Sequence, residues 1–181
     1  MKSVIIFIFT FLWTISSYAN DREQELNRLF LELKTNNSLG SQKIEQKIWD
    51  IWSTHPTDQK LTMILGEGSK FVHKREFKQA IEIFSEVINL DPNWPEAWNK
   101  RATVLYLLGD YEASQRDIDK VLELEKRHFG ALAGQGLVNI KLENYEKAIK
   151  SYQKAQEIYP SMQSPKIMIE QIKELIKQQL I

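Results

Sequence analysis

Residues 61–94 read LTMILGEGSKFVHKREFKQAIEIFSEVINLDPNW, residues 95–128 read PEAWNKRATVLYLLGDYEASQRDIDKVLELEKRH, and residues 129–162 read FGALAGQGLVNIKLENYEKAIKSYQKAQEIYPSM. Set one under another, the three lines agree in fixed columns. Gly68, Ala102 and Gly136 share one; Ala80, Ser114 and Ala148 another; then Phe84, Ile118 and Tyr152; then Val87, Val121 and Ala155. A 34-residue period with two small-residue columns is the spacing of a helix–turn–helix unit stacked into a solenoid. A small side chain on each helix lets two backbones approach, and the large residue one turn later supplies buried area. The expected fold is therefore all-α, an antiparallel helix-hairpin solenoid.

Working outward, Leu26, Leu29, Phe30 and Leu33 fall at i, i+3, i+4, i+7, the face of an amphipathic helix. Turn formers from Thr35 to Gly40 break it, with a glycosylation sequon at Asn36-Asn37-Ser38, and Ser41 is the expected cap of the next helix. Ile44, Ile48, Ile51 and Trp52 mark that second helix, which ends at His55-Pro56. Residues 20–60 thus read as a helical hairpin. Ile44, Ile48, Ile51 and Pro56 copy the spacing of Ala80, Phe84, Val87 and Pro92, so the hairpin is expected to be a degenerate repeat that caps the stack. Residues 163–181 read as a closing helix, with Ser164 as N-cap, Pro165 as first helical residue, and a face of Met168, Ile172, Leu175 and Ile176. It is expected to cover the open end of the third repeat.

Residues 1–19 have a different character. Lys2 is followed by a run that is apolar from Val4 to Ile15 apart from two threonines, then Ser17-Tyr18-Ala19. This is the layout of a secretory signal peptide, with cleavage expected after Ala19 and a periplasmic or secreted mature chain. The apolar run is shorter than the ~20 residues a membrane-crossing helix needs. The mature chain is expected not to be membrane-embedded, with an uncleaved anchor as the alternative.

Across 181 residues, 24 basic and 24 acidic side chains balance, so no overall basic field recruits nucleic acid. Cysteine is absent, which excludes disulfides, thiolate nucleophiles and lipid attachment through Cys. His55, His73 and His128 lack metal-ligand spacing, and Gly134-Gln135-Gly136 falls inside a helical pattern with no strand before it, so it reads as close helix packing. No catalytic constellation, metal site or cofactor site is apparent. An envelope hydrolase, the alternative from another class, would need an acid–base pair that the sequence does not display.

Residues 61–162 resemble the tetratricopeptide repeat, on Gly68, Ala80 and Phe84, on Trp98, Ala102, Ser114 and Ile118, and on Gly136, Ala148 and Tyr152. The resemblance implies three repeats, 61–94, 95–128 and 129–162. It implies a concave face lined by the first helix of each, and a protein or peptide partner. Carried over position by position, that face holds Thr62, Leu65, Ser69, Val72 and His73, then Glu96, Asn99, Thr103, Tyr106 and Leu107, then Gly130, Ala133, Leu137, Ile140 and Lys141. The candidate partner-binding residues are Ser69, His73, Asn99, Lys100, Arg101, Thr103, Tyr106, Leu137 and Lys141. Gly130, Gly134 and Leu65 stand where a carboxylate clamp would need cations, which argues against that mode. Arg101 replaces a usually buried leucine, and Asp117 is its expected partner. Trp98-Asn99-Lys100-Arg101-Ala102 and the segment from Arg127 to Gly134 look like the signature of small exported Gram-negative proteins of this type. A homodimer through the C-terminal helix is a further expectation.

Overall fold

The 34-residue period reappears in the backbone. Arg75, Gly109 and Glu143 share one place in the three repeats, and all have left-handed φ, at 60°, 84° and 58°. Each ends a first helix with the same bonds. Arg75 N–H donates to Val72 O and Glu76 N–H to Phe71 O; Gly109 and Asp110 do so to Tyr106 and Leu105, Glu143 and Asn144 to Ile140 and Asn139. This αL closure satisfies carbonyls that the helix end would leave orphaned.

The computed structural model describes residues 21–35 and 38–179. The expected signal peptide, the sequon's Asn36 and Asn37, and the turn at 36–37 lie outside the described residues. These residues form nine helices in order, with no strand among them: α1 (21–35), α2 (Ser38–Ser53), α3 (Gln59–His73), α4 (Phe77–Leu90), α5 (Pro95–Leu108), α6 (Tyr111–Leu124), α7 (Phe129–Lys141), α8 (Tyr145–Ile158) and α9 (Gln163–Gln179). Helices α3 to α8 form three hairpins, α3/α4, α5/α6 and α7/α8, each packed on the next. No described helix is long and apolar enough to cross a membrane.

The small-residue columns do the packing their spacing implies. A Cβ on Gly136 would stand 2.5 Å from Cζ of Tyr152, and one on Gly68 would collide with the Phe84 ring. In the middle repeat Ser114 takes the small place and donates its hydroxyl to Ala102 O at 2.8 Å, so this buried polar atom is satisfied. Phe84, Val87, Ile118, Val121, Tyr152 and Ala155 are all buried.

The N-terminal hairpin departs from expectation in position. Its apolar face does not extend the stack ahead of α3. Leu26, Leu29, Phe30, Leu33, Ile44, Ile48 and Trp52 form one core with Phe129 and Tyr159, which belong to the third repeat. Helix α2 runs along the edge where the repeats begin and end. Ser161 Oγ donates to Ser41 Oγ, Tyr159 Oη to Glu45, Trp94 Nε1 to Trp52 O, and His55 Nε2 meets Asp91. The hairpin is a strut across all three repeats. Ile44 and Ile48 are bulky where a stacking repeat would have a small residue, which suits a cross-packing core better than a close helix crossing. Ser41 is accordingly a buried residue inside α2 and not a cap.

Helix α9 packs on α8, with Ile169 and Ile172 buried against Ala148 and Tyr152, and it also touches Ala133 and Ile140 on α7. It closes the end of the third repeat as its apolar face implies. It begins at Gln163, one residue before the expected cap, so Pro165 stands within the first turn, where its missing N–H costs nothing.

Candidate functional site

The inner face of the solenoid is built by α3, α5 and α7. Asn99, Thr103 and Tyr106 on α5 and Gly130, Gly134 and Leu137 on α7 line a cleft of about 80 Å³, with Ala102, Ser114, Ile118, Ala131 and Val138 as further walls. Gly134 keeps it open. A Cβ there would have only Ile118 Cδ1 nearby, at an ordinary 3.7 Å, so close packing is not its reason. The expectation that Gly134 serves helix packing is corrected; that role belongs to Gly136. Gly130 is different again, because Trp49 of the strut lies where its Cβ would be, at 2.5 Å.

Of the nine residues singled out from the sequence, four converge here: Asn99, Thr103, Tyr106 and Leu137. Thr103 Oγ1 donates to Asn99 O and Ser69 Oγ to Leu65 O, so both hydroxyls bond back to their own helices. Asn99 Nδ2 donates to Glu96 Oε2 at 3.1 Å, and the Tyr106 ring packs tilted against Tyr111 with centroids 5.5 Å apart. Leu137 is 38% exposed and Leu107 52%, an apolar surface beside the cleft. His73 and Lys141 are exposed at the C-terminal ends of α3 and α7.

Lys100 and Arg101 are engaged elsewhere. Arg101 makes a two-pronged pair with Asp117, at 2.7 and 2.8 Å, donates to Ser85 Oγ, and lies 5.1 Å from the Trp98 ring. The expected Arg101–Asp117 pair is present, and it takes Arg101 away from the inner face. Lys100 Nζ stands 3.1 Å from Glu96 Oε1, close enough to pair in charge though not aligned as a hydrogen bond. Trp98 is structural, its indole N–H donating to Pro92 O.

The strut closes one end of the inner face through a cluster that sequence spacing did not reveal. Glu96 and His128 are fully buried and 3.2 Å apart. His128 Nδ1 accepts the Ala131 N–H, capping α7, so Nε2 carries the proton that faces Glu96. Trp52 stacks on the imidazole with centroids 4.0 Å apart and planes 8° from parallel. Burial pushes the Glu96 carboxyl up, but His128 and the Lys100 ammonium outweigh it and hold it below the ordinary carboxylate range. His55 repeats the arrangement: Nδ1 accepts the Asp58 N–H, Nε2 meets Asp91 at 2.8 Å, and the ring stands edge-on to Trp94. No group of three or more metal-ligating side chains occurs among the described residues.

Comparison with known proteins agrees with this geometry. The tetratricopeptide repeat model matches residues 99–162. The helical stack has the fold of a tetratricopeptide superhelix. A TPR repeat-containing protein of Rhizobium etli is 29% identical over 140 residues, 77% of this chain and 68% of that one. Hsp70-Hsp90 organizing protein 2 of Arabidopsis thaliana is 25% identical over 112 residues, 62% of this chain and only 19% of its own length. Among solved structures, the first TPR of Spaghetti (RPAP3), bound to an HSP90 peptide, has a TM-score of 0.64 at 20% identity, covering 66% of this chain and 94% of that one. MamA has a TM-score of 0.61 at 19% identity, over 75% and 76%. At these identities the solved structures speak to fold alone.

Proposed function

We propose that this protein is an exported, non-enzymatic interaction module whose inner cleft between α5 and α7 holds an extended, uncharged segment of a partner protein, as a scaffold or assembly factor in the periplasm. The observation that carries the reading is Gly134. A glycine inside a helix costs roughly 1 kcal/mol relative to alanine, and here no neighbour requires it. What it provides is access for a small aliphatic side chain to Ile118 and Val138. The RPAP3 domain that shares the fold holds an HSP90 peptide, which supports a peptide as occupant. The walls differ from a clamp for a terminal carboxylate: none of the residues lining this cleft carries a charge. Asn99 keeps its side-chain oxygen for a ligand backbone N–H.

The acid–base pair nearest the cleft, Glu96 and His128, is sealed under Trp52 and committed to capping and packing, which supports binding over catalysis. Export rests on the layout of residues 1–19. N-terminal sequencing of the mature chain tests it: Asn20 as first residue supports a soluble form, and Met1 supports a membrane-anchored subunit. The binding site is tested by crosslinking from the native envelope. Partners are expected to be retained by the parent chain and lost with Asn99→Ala and Tyr106→Ala; partners that survive both substitutions overturn the inner-face assignment.

A further inference from the structure

A second, larger cleft lies on the other flank of α7, between α6 and α8. It encloses about 450 Å³ and is lined by Gln115, Asp119, Gln135, Asn139 and Ser151, with Lys147, Lys150 and Lys154 along α8. The neighbouring seam shows what normally fills such a place. Between the first and second repeats, Arg101 reaches across to Asp117 of its own repeat and Ser85 of the preceding one. One repeat later the matching residue is Gln135, and its partners are the matching Ser151 and Asp119. The substitution shortens the side chain and removes its charge, so the seam that Arg101 fills stays open here.

The rim is basic, with three lysines along α8 against a single carboxylate, Asp119, in the floor. Lys147, Lys150 and Lys154 have no ion-pair partner among the described residues, and all three line this one cleft. Asp119 is the one acidic lining residue, and it accepts from Gln115 and Gln135. The floor is a hydrogen-bonded amide network, with Asn139 donating to Gln115 Oε1 and to Gln135 O. We propose that this cleft is a second binding site, for an extended acidic segment of a partner protein. It is independent of the inner cleft. At ~1.5 Å rise per residue the three lysines lie about 4.5 and 6 Å apart along α8. Alternate carboxylates on an extended chain recur every ~6.6 Å, a comparable spacing. The amides bond the segment's backbone, while the lysines, on long flexible stems, meet its carboxylates.

Amide-resolved NMR titration of the purified chain tests this, with a nine-residue peptide alternating Glu and Ser as probe and a Gln/Ser peptide as control. The Glu peptide is expected to shift the side-chain amides of Gln115, Gln135 and Asn139, with binding weakened at least fivefold when salt is raised to about 1 M, where the screening length falls to ~3 Å. Joint replacement of Lys147, Lys150 and Lys154 by Gln is expected to weaken it by a similar factor. Gln135→Arg is expected to abolish it with the fold retained, because Asp119 and Ser151 stand ready to receive the guanidinium as Asp117 and Ser85 receive that of Arg101. Equal binding of the Gln/Ser peptide overturns the proposal, as does equal binding by the Gln135→Arg chain. Shifts reproduced by inorganic phosphate at the same affinity also overturn it, leaving a simple anion site. Gly134→Leu, which fills the inner cleft, leaves the outcome unchanged, so the two sites fail or stand separately.

Discussion

The helix-ending place of the three repeats shows how one backbone demand is met by different residues. Gly109 meets φ of 84° without strain, while Arg75 and Glu143 hold left-handed φ with a Cβ present. That conformation costs a non-glycine residue about 1 kcal/mol or somewhat more. Glu143→Gly is therefore expected to raise the unfolding free energy by about 0.5–1 kcal/mol, after allowing for the freer unfolded chain, as read from chemical denaturation. Gly136→Ala is expected to do the opposite, lowering it by about 1–3 kcal/mol, because Tyr152 occupies the space its Cβ needs. Asp117 belongs to the same scale. With Asp117→Ala the Arg101 guanidinium, in a side chain only 21% exposed, loses its two-pronged partner. A loss of about 2–4 kcal/mol is expected, and the double change with Arg101→Met is expected to recover much of it; no recovery would show that the unpaired guanidinium is not the cause of the loss.

At the scale of elements, the N-terminal hairpin is where sequence and structure part. Its two helices were legible from Leu26, Leu29, Phe30 and Leu33 and from Ile44, Ile48 and Ile51, since periodicity reports which face is buried. It does not report against what. Docking across the repeat edges is set by long-range contacts such as Trp52 on His128 and Arg127 to Glu23 and Asn27, about 100 residues apart in sequence, for which no local signal exists. The repeats themselves were legible because their contacts are local and recur in register, down to the Arg101–Asp117 pair. The same distinction applies to the inner face. Asn99, Thr103, Tyr106 and Leu137 follow from helix geometry, whereas only packing distances separate Gly134, which leaves a space, from Gly136, whose open side Tyr152 fills. The strut also brings a pH dependence. Burial pushes Glu96 and Glu125 up, and their hydrogen-bond and charge partners, His128 with Lys100 and Arg127, hold both below the ordinary range. Carboxyls depressed in the folded state contribute stability that is present above their unfolded pKa, about 4.3, and lost as pH falls through the folded value. Acidification below about pH 4 is expected to undock the hairpin, read as a change in tryptophan emission, since Trp49, Trp52 and Trp94 all lie at this junction. Glu96→Gln is expected to lower stability at neutral pH and to flatten that acid response. An unchanged acid transition would remove Glu96 from the explanation.

For the whole molecule, the arrangement is a short solenoid braced along one edge and closed at its far end, with two clefts on opposite flanks of α7. The strut and α9 between them take the ends of the inner face: Thr62 accepts the His55 N–H, Glu96 is sealed, Gly130 meets Trp49, and Ala133 and Ile140 lie against α9. The middle, around Tyr106, Gly134 and Leu137, remains open. Rigid bracing around a small apolar opening suits a preformed site, which loses little conformational entropy when it binds. Gly134→Leu tests this most directly, with stability and partner retention measured on the same preparation. Leucine favours helix and its side chain fills the cleft toward Ile118, so the account predicts an unfolding midpoint equal to or above that of the parent chain together with loss of the crosslinked partner. Full retention of the partner by the stably folded variant would contradict it.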